Sequence, residues 1–594
     1  MRKVSFVFSG LMVIAALLMS SCAPATPQIV EKEKLATVVI EKEVPVEKKV
    51  VETVVIEKQV VVTPTPIPLP TAVVAEEPEY GGTIRLTFVA DPPSLGDPPP
   101  SWDSSSWTCH MLLYNGLLRF KRQPSMEVEP ELAESLPTVS PDGMTFTFKL
   151  REGLRFSSGR MLTAEDVKYS LDRMLDDETQ GWGVTYYMGI QGAPEAFAGI
   201  AEGVEGIRVI DDRTIEIKMA EPIAPDWFMT LMAVPWTYVV DREAVEKWGD
   251  EFTNHPAGAG PYVLKEYTPG RLLVFEKNPN YWRFPEEPYA DRIEIELGVD
   301  TSLAALKLEK GEIEFTGPDP MSPAALKPFL DNPVWQPYIE EQMDTGAYFI
   351  ALDASQGITA DLRVRQAIAH AIDKNKMIEV MGANAIPAKS LLAPASGDWF
   401  DPTIPEYEYN PEKAKALLQE AGVAEGTTLE IWSANYYPWA EMAQAVQYDL
   451  QQIGLNVDLH LVQRAAWYEA NANHNPIVFN QWPLELPDPA YIFDGGFACA
   501  AMYPDSCCNW SWICTDEMEA KLRAARQEQN REERVKMYHA LDREVVYEKA
   551  LWIPLFHLKY IWVRSPRLGG FHVSLVFGPG VQQLSRLWLV GGGR

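Results

Sequence analysis

Glu485 lies in a stretch that raises a chemical question, QWPLELPDP, residues 481–489. Three prolines in nine residues disfavour a helix or an interior strand. Glu485 stands alone between Leu484 and Leu486, so its carboxylate is either a solvated loop charge or a buried anchor for a cationic ligand. Which of the two applies depends on the elements that surround it.

Catalytic signatures are absent from the sequence. There is no G-x-S-x-G, no H-E-x-x-H, no S-x-x-K and no G-x-x-x-x-G-K phosphate loop. The eight histidines are scattered, and none stands at metal-ligand spacing from another. The motifs that would support a secreted hydrolase are therefore missing, and we expect neither a cofactor nor a metal. A hydrolase and a chemosensory co-receptor nevertheless stay open as functions.

The charge balance excludes some partners. Acidic residues outnumber basic ones by 83 to 52, which gives a formal net charge of -31 at pH 7. This charge repels the phosphates of nucleic acids and anionic membrane surfaces. We therefore expect no nucleic-acid partner, and membrane attachment through a specific anchor only. At 594 residues, 46% of them hydrophobic, the chain is long enough for several domains.

The N-terminus has the layout of a secretory signal. Arg2 and Lys3 precede an apolar run, and Ser20, Ser21 and Cys22 follow it. Small residues before a cysteine resemble a bacterial lipobox, so residues 1–21 are predicted to be a lipoprotein signal peptide and Cys22 the lipidated residue. An uncleaved anchor helix is the alternative, although the run is short for a membrane span. Both interpretations place the body of the protein outside the cytoplasm, at the cell surface or in the periplasm.

Residues 22–78 are predicted to be a stalk between the anchor and the body. The segment VVIEK occurs at residue 38 and again at residue 54, and prolines alternate from Pro64 to Pro70. Proline-rich segments act as semi-rigid spacers. An adhesive strand or coiled segment is the alternative, since the valines favour β structure.

From Tyr80 onward the pattern indicates an α/β or α+β body. Strict alternation of apolar residues predicts strands at 144–150, 215–219 and 293–297. Helix-start signals occur at Thr163, at Asp361 and at Asn410-Pro411.

Six segments of the body, in chain order, resemble one family. They are YGGTIR from Tyr80, YNGLL from Tyr114, PELAESLPTVSPDGMTFTFKLREGLRFSSGRMLTAEDVKYSLDRM from Pro130, GAGPYVLKEYTPGRLLVFEKNPNYW from Gly258, DLRVRQAIAHAID from Asp361 and YNPEKAKALLQEAG from Tyr409. The chain thus resembles bacterial extracellular solute-binding proteins of family 5, the oligopeptide-, dipeptide- and nickel-binding lipoproteins of ABC importers. The resemblance runs from about residue 80 to the C-terminus.

The resemblance implies an α/β, two-lobed periplasmic-binding-protein-like fold (type II, cluster C) with an extra small domain on the first lobe. The implied segments are 79–122, 246–345 and 553–594 for the first lobe, 123–245 for the extra domain and 346–552 for the second lobe. Strands at 346–352 and 551–558 would cross between the lobes. A monomer would enclose its ligand between them and deliver it to a permease, which is served by a separate ATPase.

The resemblance also implies a ligand site. In peptide-binding members an aspartate pairs with the terminal ammonium of the ligand, in a frame that Trp482, Glu485, Asp488 and Pro489 match, with Glu in place of Asp. Further contacts are expected at Asp103, Ser104, Ser105 and Trp107, and at Asn435 and Tyr436.

The chemical class of the ligand stays open between peptides and oligosaccharides. Pro483 has no N–H to donate to an extended peptide. Tryptophans such as Trp102 would supply stacking faces for sugar rings.

Cysteines are concentrated near residue 500. The chain has Cys109, Cys499, Cys507, Cys508 and Cys514 besides Cys22. The resemblance implies a disulfide between Cys499 and Cys514, because in some family members a disulfide closes the equivalent loop. Cys507 and Cys508 are neighbours and poorly placed to bond each other. Zinc is the alternative for this cluster, although it lacks C-x-x-C pairs.

Overall fold

A computed structural model describes residues 77–591, apart from 180, 381–383, 503–507 and 579. The predicted signal peptide, the predicted lipidation at Cys22 and nearly all of the predicted stalk lie outside the described residues. Within the described ranges, no helix combines the length and the apolar character that crossing a membrane requires.

The strands of the described part are short and spread along the chain. They are β1 (Thr83–Thr87), β2 (Leu118–Phe120), β3 (Val128–Pro130), β4 (Thr138–Val139), β5 (Thr145–Lys149), β6 (Ile207–Asp211), β7 (Thr214–Lys218), β8 (Tyr262–Thr268), β9 (Leu272–Lys277), β10 (Arg292–Glu296), β11 (Ile339–Met343), β12 (Ala347–Leu352), β13 (Ala385–Pro387), β14 (Thr428–Ala434), β15 (Asn456–Val462), β16 (Ile477–Trp482), β17 (Trp552–Val563), β18 (Leu568–Gly569) and β19 (Trp588–Leu589).

The α-helices alternate with these strands. They are α1 (Ser104–Leu113), α2 (Ala164–Met174), α3 (Ala193–Phe197), α4 (Pro225–Leu231), α5 (Arg242–Trp248), α6 (Thr301–Glu309), α7 (Pro323–Asp331), α8 (Leu362–Ala371), α9 (Lys374–Val380), α10 (Pro411–Glu420), α11 (Trp439–Gln452), α12 (Arg464–Asn471), α13 (Ala490–Phe497), α14 (Asp516–Gln527) and α15 (Arg531–Arg543).

The predicted helix starts and strands are confirmed. Thr163 and Asp166 form a capping box at the start of α2. The side chain of Asp361 accepts the N–H of Arg363 at the start of α8, and Asn410 caps α10 in the same way. The three alternating stretches form β5, β7 and β10, each with a buried and a more exposed face.

Three sheets of four or five strands organise the described chain, and the pairs β2-β3, β14-β15 and β18-β19 form small two-stranded sheets. One has the strand order β1-β10-β9-β8, and a second has the order β4-β5-β7-β6. The third has the order β11-β17-β12-β16, with β13 paired to β17. The second uses strands between residues 138 and 218, whereas the first joins strands from residue 83 to residue 296 and the third joins strands from residue 339 to residue 563. The first and third sheets therefore bring distant segments of the chain together.

Strand β12 separates two hydrophobic cores. Side chains of successive strand residues point to opposite faces, and here Phe349 and Ala351 enter one core while Tyr348, Ile350 and Leu352 enter the other. The first core also contains residues of β5, β7 and α13 to α15, and the second contains residues of α8, α10 and α11. The crossing role predicted for β12 and β17, and the predicted domain boundaries, stay predictions.

Candidate functional site

The stretch 481–489 is fixed to the beginning of β12 by a close backbone approach. Strand β16 ends at Trp482, which pairs with Ala347. A Cβ on Gly346 would lie 1.9 Å from the carbonyl oxygen of Trp482, so only glycine fits there. The N–H of Leu484 donates to Thr345 Oγ1 at 2.9 Å. These contacts place Glu485 beside the link between β11 and β12.

Glu485 is a largely buried carboxylate without a basic partner. Its Oε2 accepts a hydrogen bond of 2.6 Å from the hydroxyl of Tyr491. In the described part of the chain, no Lys, Arg or His nitrogen lies within 4.0 Å of it. Burial raises the pKa of Glu485 to about 7, the charge of Asp344 adds to the increase, and the hydrogen bond from Tyr491 opposes it. An added cation would compensate this buried charge.

A small cavity adjoins this carboxylate. Glu485, Asp344, Tyr560 and Ser574 line it together with main-chain and apolar neighbours. Its volume is about 10 Å³, which is room for one water-sized group. An ammonium head fits such a volume, whereas the remainder of a larger ligand must lie outside it.

Asp488 has a different environment from Glu485. Its two oxygens form a bidentate ion pair with Arg534, at 2.5 and 2.7 Å, and both side chains are buried. Its Oδ1 also accepts the N–H of Ala490 at 2.9 Å, at the start of α13. Arg534 therefore compensates the charge of Asp488, and we assign Asp488 to the support of the segment.

Trp482 lies at the edge of an aromatic cluster. Its ring centroid is 5.8 Å from that of Tyr491 in an edge-to-face arrangement, and 5.9 Å from that of Trp552 in a stacked one. The side chain keeps part of its surface exposed. Trp482 thus packs beside Tyr491, whose hydroxyl donates to Glu485, and its role as a ligand contact stays a prediction.

The structure brings the start of α1 to the Glu485 segment through Phe577. Ser104 Oγ contacts the carbonyl oxygen of Phe577 at 3.5 Å, and the N–H of Phe577 donates to the carbonyl oxygen of Glu485 at 2.9 Å. Asp103 caps α1 by accepting the N–H of Ser106 at 2.9 Å, while its other oxygen is buried with no hydrogen-bond partner among the described residues. Two of the predicted regions are therefore neighbours.

Ser105 and Trp107 continue α1 in different environments. Ser105 is partly exposed on the first turn. Trp107 is only 2% exposed, and its ring packs edge-on against Trp236 and Phe577. We assign Trp107 to the core because its indole is enclosed by other rings.

Asn435 and Tyr436 follow β14 and are exposed. Beside them lies Arg464, which the sequence reasoning missed. The guanidinium of Arg464 donates to the hydroxyl of Tyr468 and lies 5.7 Å from the ring centroid of Trp102. Among the described residues, no carboxylate lies within 4.0 Å of Arg464. The only sequence signal for Arg464 is its position four residues before Tyr468 on a helix. This spacing is common and does not specify a binding residue.

The cysteine cluster contains the expected pair. Cys499 and Cys514 are joined by a disulfide with an S–S distance of 2.02 Å. Cys508 is also disulfide-bonded, and Cys109 is a buried free thiol whose pKa is raised by burial. Across the described ranges, no group of three or more His, Cys, Asp or Glu side chains is arranged to hold a metal ion.

Comparisons with a family model and with known proteins agree on one family. Residues 127–504 match the family of bacterial extracellular solute-binding proteins, family 5 Middle. Di/tripeptide-binding protein 2 of Pseudomonas aeruginosa (strain UCBPP-PA14) is 29% identical over 484 residues, which cover 78% of this chain and 87% of the relative. The glutathione-binding protein GsiB of Escherichia coli is 27% identical over 487 residues, which cover 80% and 89%.

Solved structures share the fold. The clavulanic acid biosynthesis oligopeptide binding protein 2 superposes with a TM-score of 0.79 at 24% identity, covering 87% of this chain and 97% of that one. The ABC transporter-associated periplasmic binding protein DppA from Helicobacter pylori, in complex with the peptide STSA, gives 0.70 at 24% identity and covers 86% and 98%. The two-lobed fold predicted from the sequence is thereby confirmed. The chain belongs to the bacterial extracellular solute-binding proteins of family 5, the substrate-binding components of ABC importers, and it is not an enzyme.

Proposed function

We propose that this protein captures short peptides with a free amino terminus and presents them to an ABC permease. The observation that carries the proposal is the carboxylate of Glu485, which is largely buried and has no basic partner within 4.0 Å in the described chain. Because an isolated buried charge is costly, a partner of opposite sign stabilises it strongly. The terminal ammonium of a peptide is such a partner, and it defines the orientation of the peptide in the site.

Arg464 is the proposed contact for the opposite, anionic end of the ligand or for an acidic side chain. A chain of contacts leads from Glu485 through Phe577 and Ser104 to the region of Trp102, beside which Arg464 lies. Guanidinium groups bind carboxylates in a bidentate geometry. The names of the relatives, which include di/tripeptide- and glutathione-binding proteins, agree with a short ligand that carries both charges.

Oligosaccharides are the second candidate ligands because of the exposed aromatic residues. The rings of Trp102 and Trp182 are neighbours, with centroids 6.1 Å apart, and both are more than 40% exposed. Tyr436 and Tyr437 are similarly exposed. Such faces stack on sugar rings, and Pro483 cannot donate to a peptide backbone. Because Glu485 has no basic partner among the residues that the structure describes, a cationic peptide terminus is favoured over a sugar.

The proposal also includes the attachment of the protein to the membrane and the closure of its two lobes. We propose that Cys22 carries a lipid, that residues 22–78 form a stalk, and that the body acts as a monomer outside the cytoplasm. The lobes would follow the segment boundaries predicted from the sequence, and closure on β12 and β17 would couple capture to delivery. Genes for a permease and an ATPase beside this one would favour import over sensing.

Thermal unfolding with ligand panels tests the proposal. Purified protein is heated with dipeptides, tripeptides and glutathione, and separately with cello- and xylo-oligosaccharides. A true ligand at 100 times its Kd adds about 2.7 kcal/mol to the free energy of unfolding. We expect stabilisation by peptides with a free amino terminus and none by their N-acetylated forms. Stabilisation by sugars alone would overturn the peptide assignment.

A further inference from the structure

A second acidic side chain, Asp344, faces the cavity beside Glu485. Asp344 lies in the link between β11 and β12 and is 5% exposed. Its oxygens accept the N–H of Thr345 at 2.7 Å and the side-chain amide of Gln481 at 2.8 Å. In the described residues, no Lys, Arg or His nitrogen approaches it within 4.0 Å. Asp344 is thus hydrogen-bonded but electrically uncompensated.

The backbone holds both acids at the lining of one small cavity. Thr345 follows Asp344, and its hydroxyl accepts the N–H of Leu484, the residue before Glu485. The two carboxylates and the hydroxyl-bearing Tyr560 line the same cavity of about 10 Å³. Two uncompensated acids around a space of one water-sized group are unfavourable for the protein alone. A small cation in that space offsets the repulsion of both acids.

We propose that Asp344 is a second ligand-binding carboxylate, and that with Glu485 it selects a primary ammonium group. A primary ammonium carries three N–H donors, and the cavity offers acceptors from two carboxylates. Each methyl group on the nitrogen removes one N–H donor. It also adds volume that a cavity for one water-sized group cannot hold. This inference rests on the proposed function, because it assigns the same site to the amino terminus of the peptide.

Calorimetric titration with ligands that differ only at the nitrogen tests the selection. A peptide found to bind is compared with its N,N-dimethyl and N-acetyl forms. We expect the primary amine to bind at least tenfold more tightly than the dimethylated peptide in the wild-type protein. In Asp344→Asn the primary amine should bind no more than about threefold more tightly than the dimethylated peptide. The preference for the primary amine over the N-acetyl peptide, which depends on Glu485, should persist.

Asp542→Asn is the matched control, because Asp542 is a fully buried acid that has no basic partner within the described ranges and accepts hydrogen bonds from the hydroxyl of Ser390 and the N–H of Leu391. It should leave the selectivity ratio unchanged. Wild-type protein that binds the dimethylated peptide as tightly as the primary amine refutes the inference even if Asp344→Asn does not fold. An unchanged ratio in a folded Asp344→Asn refutes it as well. Failure of the proposed function itself is distinct, since then no peptide binds or Glu485→Gln binds peptide as well as the wild type.

Discussion

Replacing Glu485 with glutamine should stabilise the ligand-free protein at neutral and alkaline pH. Glu485 keeps its proton up to a pKa of about 7 in the folded state, whereas the ordinary value is 4.5. Between these two pH values the folded state holds more protons than the unfolded state, so the free energy of unfolding falls as the pH rises. Above pH 7 the wild type carries the full cost of a buried carboxylate, and glutamine removes it.

The size of the effect follows from the two pKa values. At 1.36 kcal/mol per pKa unit the full cost is about 3 kcal/mol, and the remaining exposure of Glu485 reduces it to about 1–3 kcal/mol. The groups that face Glu485 are Tyr491, Asp344 and Tyr186. The pKa values of both tyrosines are raised by burial, so these phenols stay neutral in this range. The pKa of Asp344 is also raised by burial, and its charge adds to the cost that Glu485 carries.

Urea unfolding at pH 5 and at pH 8 measures the difference. We expect Glu485→Gln to be close to the wild type at pH 5 and more stable by about 1–3 kcal/mol at pH 8. Glu309→Gln is the control, because Glu309 is exposed on α6, and it should match the wild type at both pH values. A difference that is equal at the two pH values, or a destabilised variant at pH 8, contradicts the reasoning.

Three further predictions concern binding and the support of the site. Peptide affinity should rise about three- to fivefold between pH 6 and pH 8, because ionisation of Glu485 increases about tenfold while the peptide amino terminus, with an ordinary pKa of about 7.7–8.0, loses half or more of its ammonium form; a flat calorimetric profile would exclude this pairing. Arg534→Met should cost about 3–5 kcal/mol in urea unfolding, since it leaves Asp488 buried alone. The exposed neighbour Arg531→Met should cost less than about 1 kcal/mol, and equal losses in both variants would contradict the buried pair. Gly346→Ala should cost at least about 1–3 kcal/mol, because its Cβ would lie 1.9 Å from a carbonyl oxygen of the adjacent strand, and a neutral outcome would remove that constraint on the site.

The local features of the fold were predictable because they depend on residues close in sequence. The caps at Thr163, Asp361 and Asn410 require only the next few residues, and so do the alternating strands β5 and β7. The family frame around Glu485 was likewise readable from nine consecutive residues.

The environment of each site residue was not predictable, because it depends on distant partners. Asp488 and Glu485 are both acids in one loop, yet Asp488 meets Arg534 from a helix 46 residues further on, while Glu485 meets no basic residue within the described ranges. Asp344 reaches the site only because β12 and β16 are neighbours in the third sheet. Trp107 is enclosed by Phe577, which lies far along the chain.

The pairing of Glu485 with a ligand ammonium is the central claim, and one calorimetric comparison tests it most directly. A bound peptide and its N-acetyl form are titrated at pH 8 into the wild type and into Glu485→Gln. We expect the wild type to bind the free amine at least 100-fold more tightly than the N-acetyl peptide, because loss of a buried charge pair costs about 3–5 kcal/mol. In Glu485→Gln this preference should largely disappear. Equal binding of both peptides by the wild type, or affinity for the free amine within twofold of wild type in the variant, would show that Glu485 is only a loop charge.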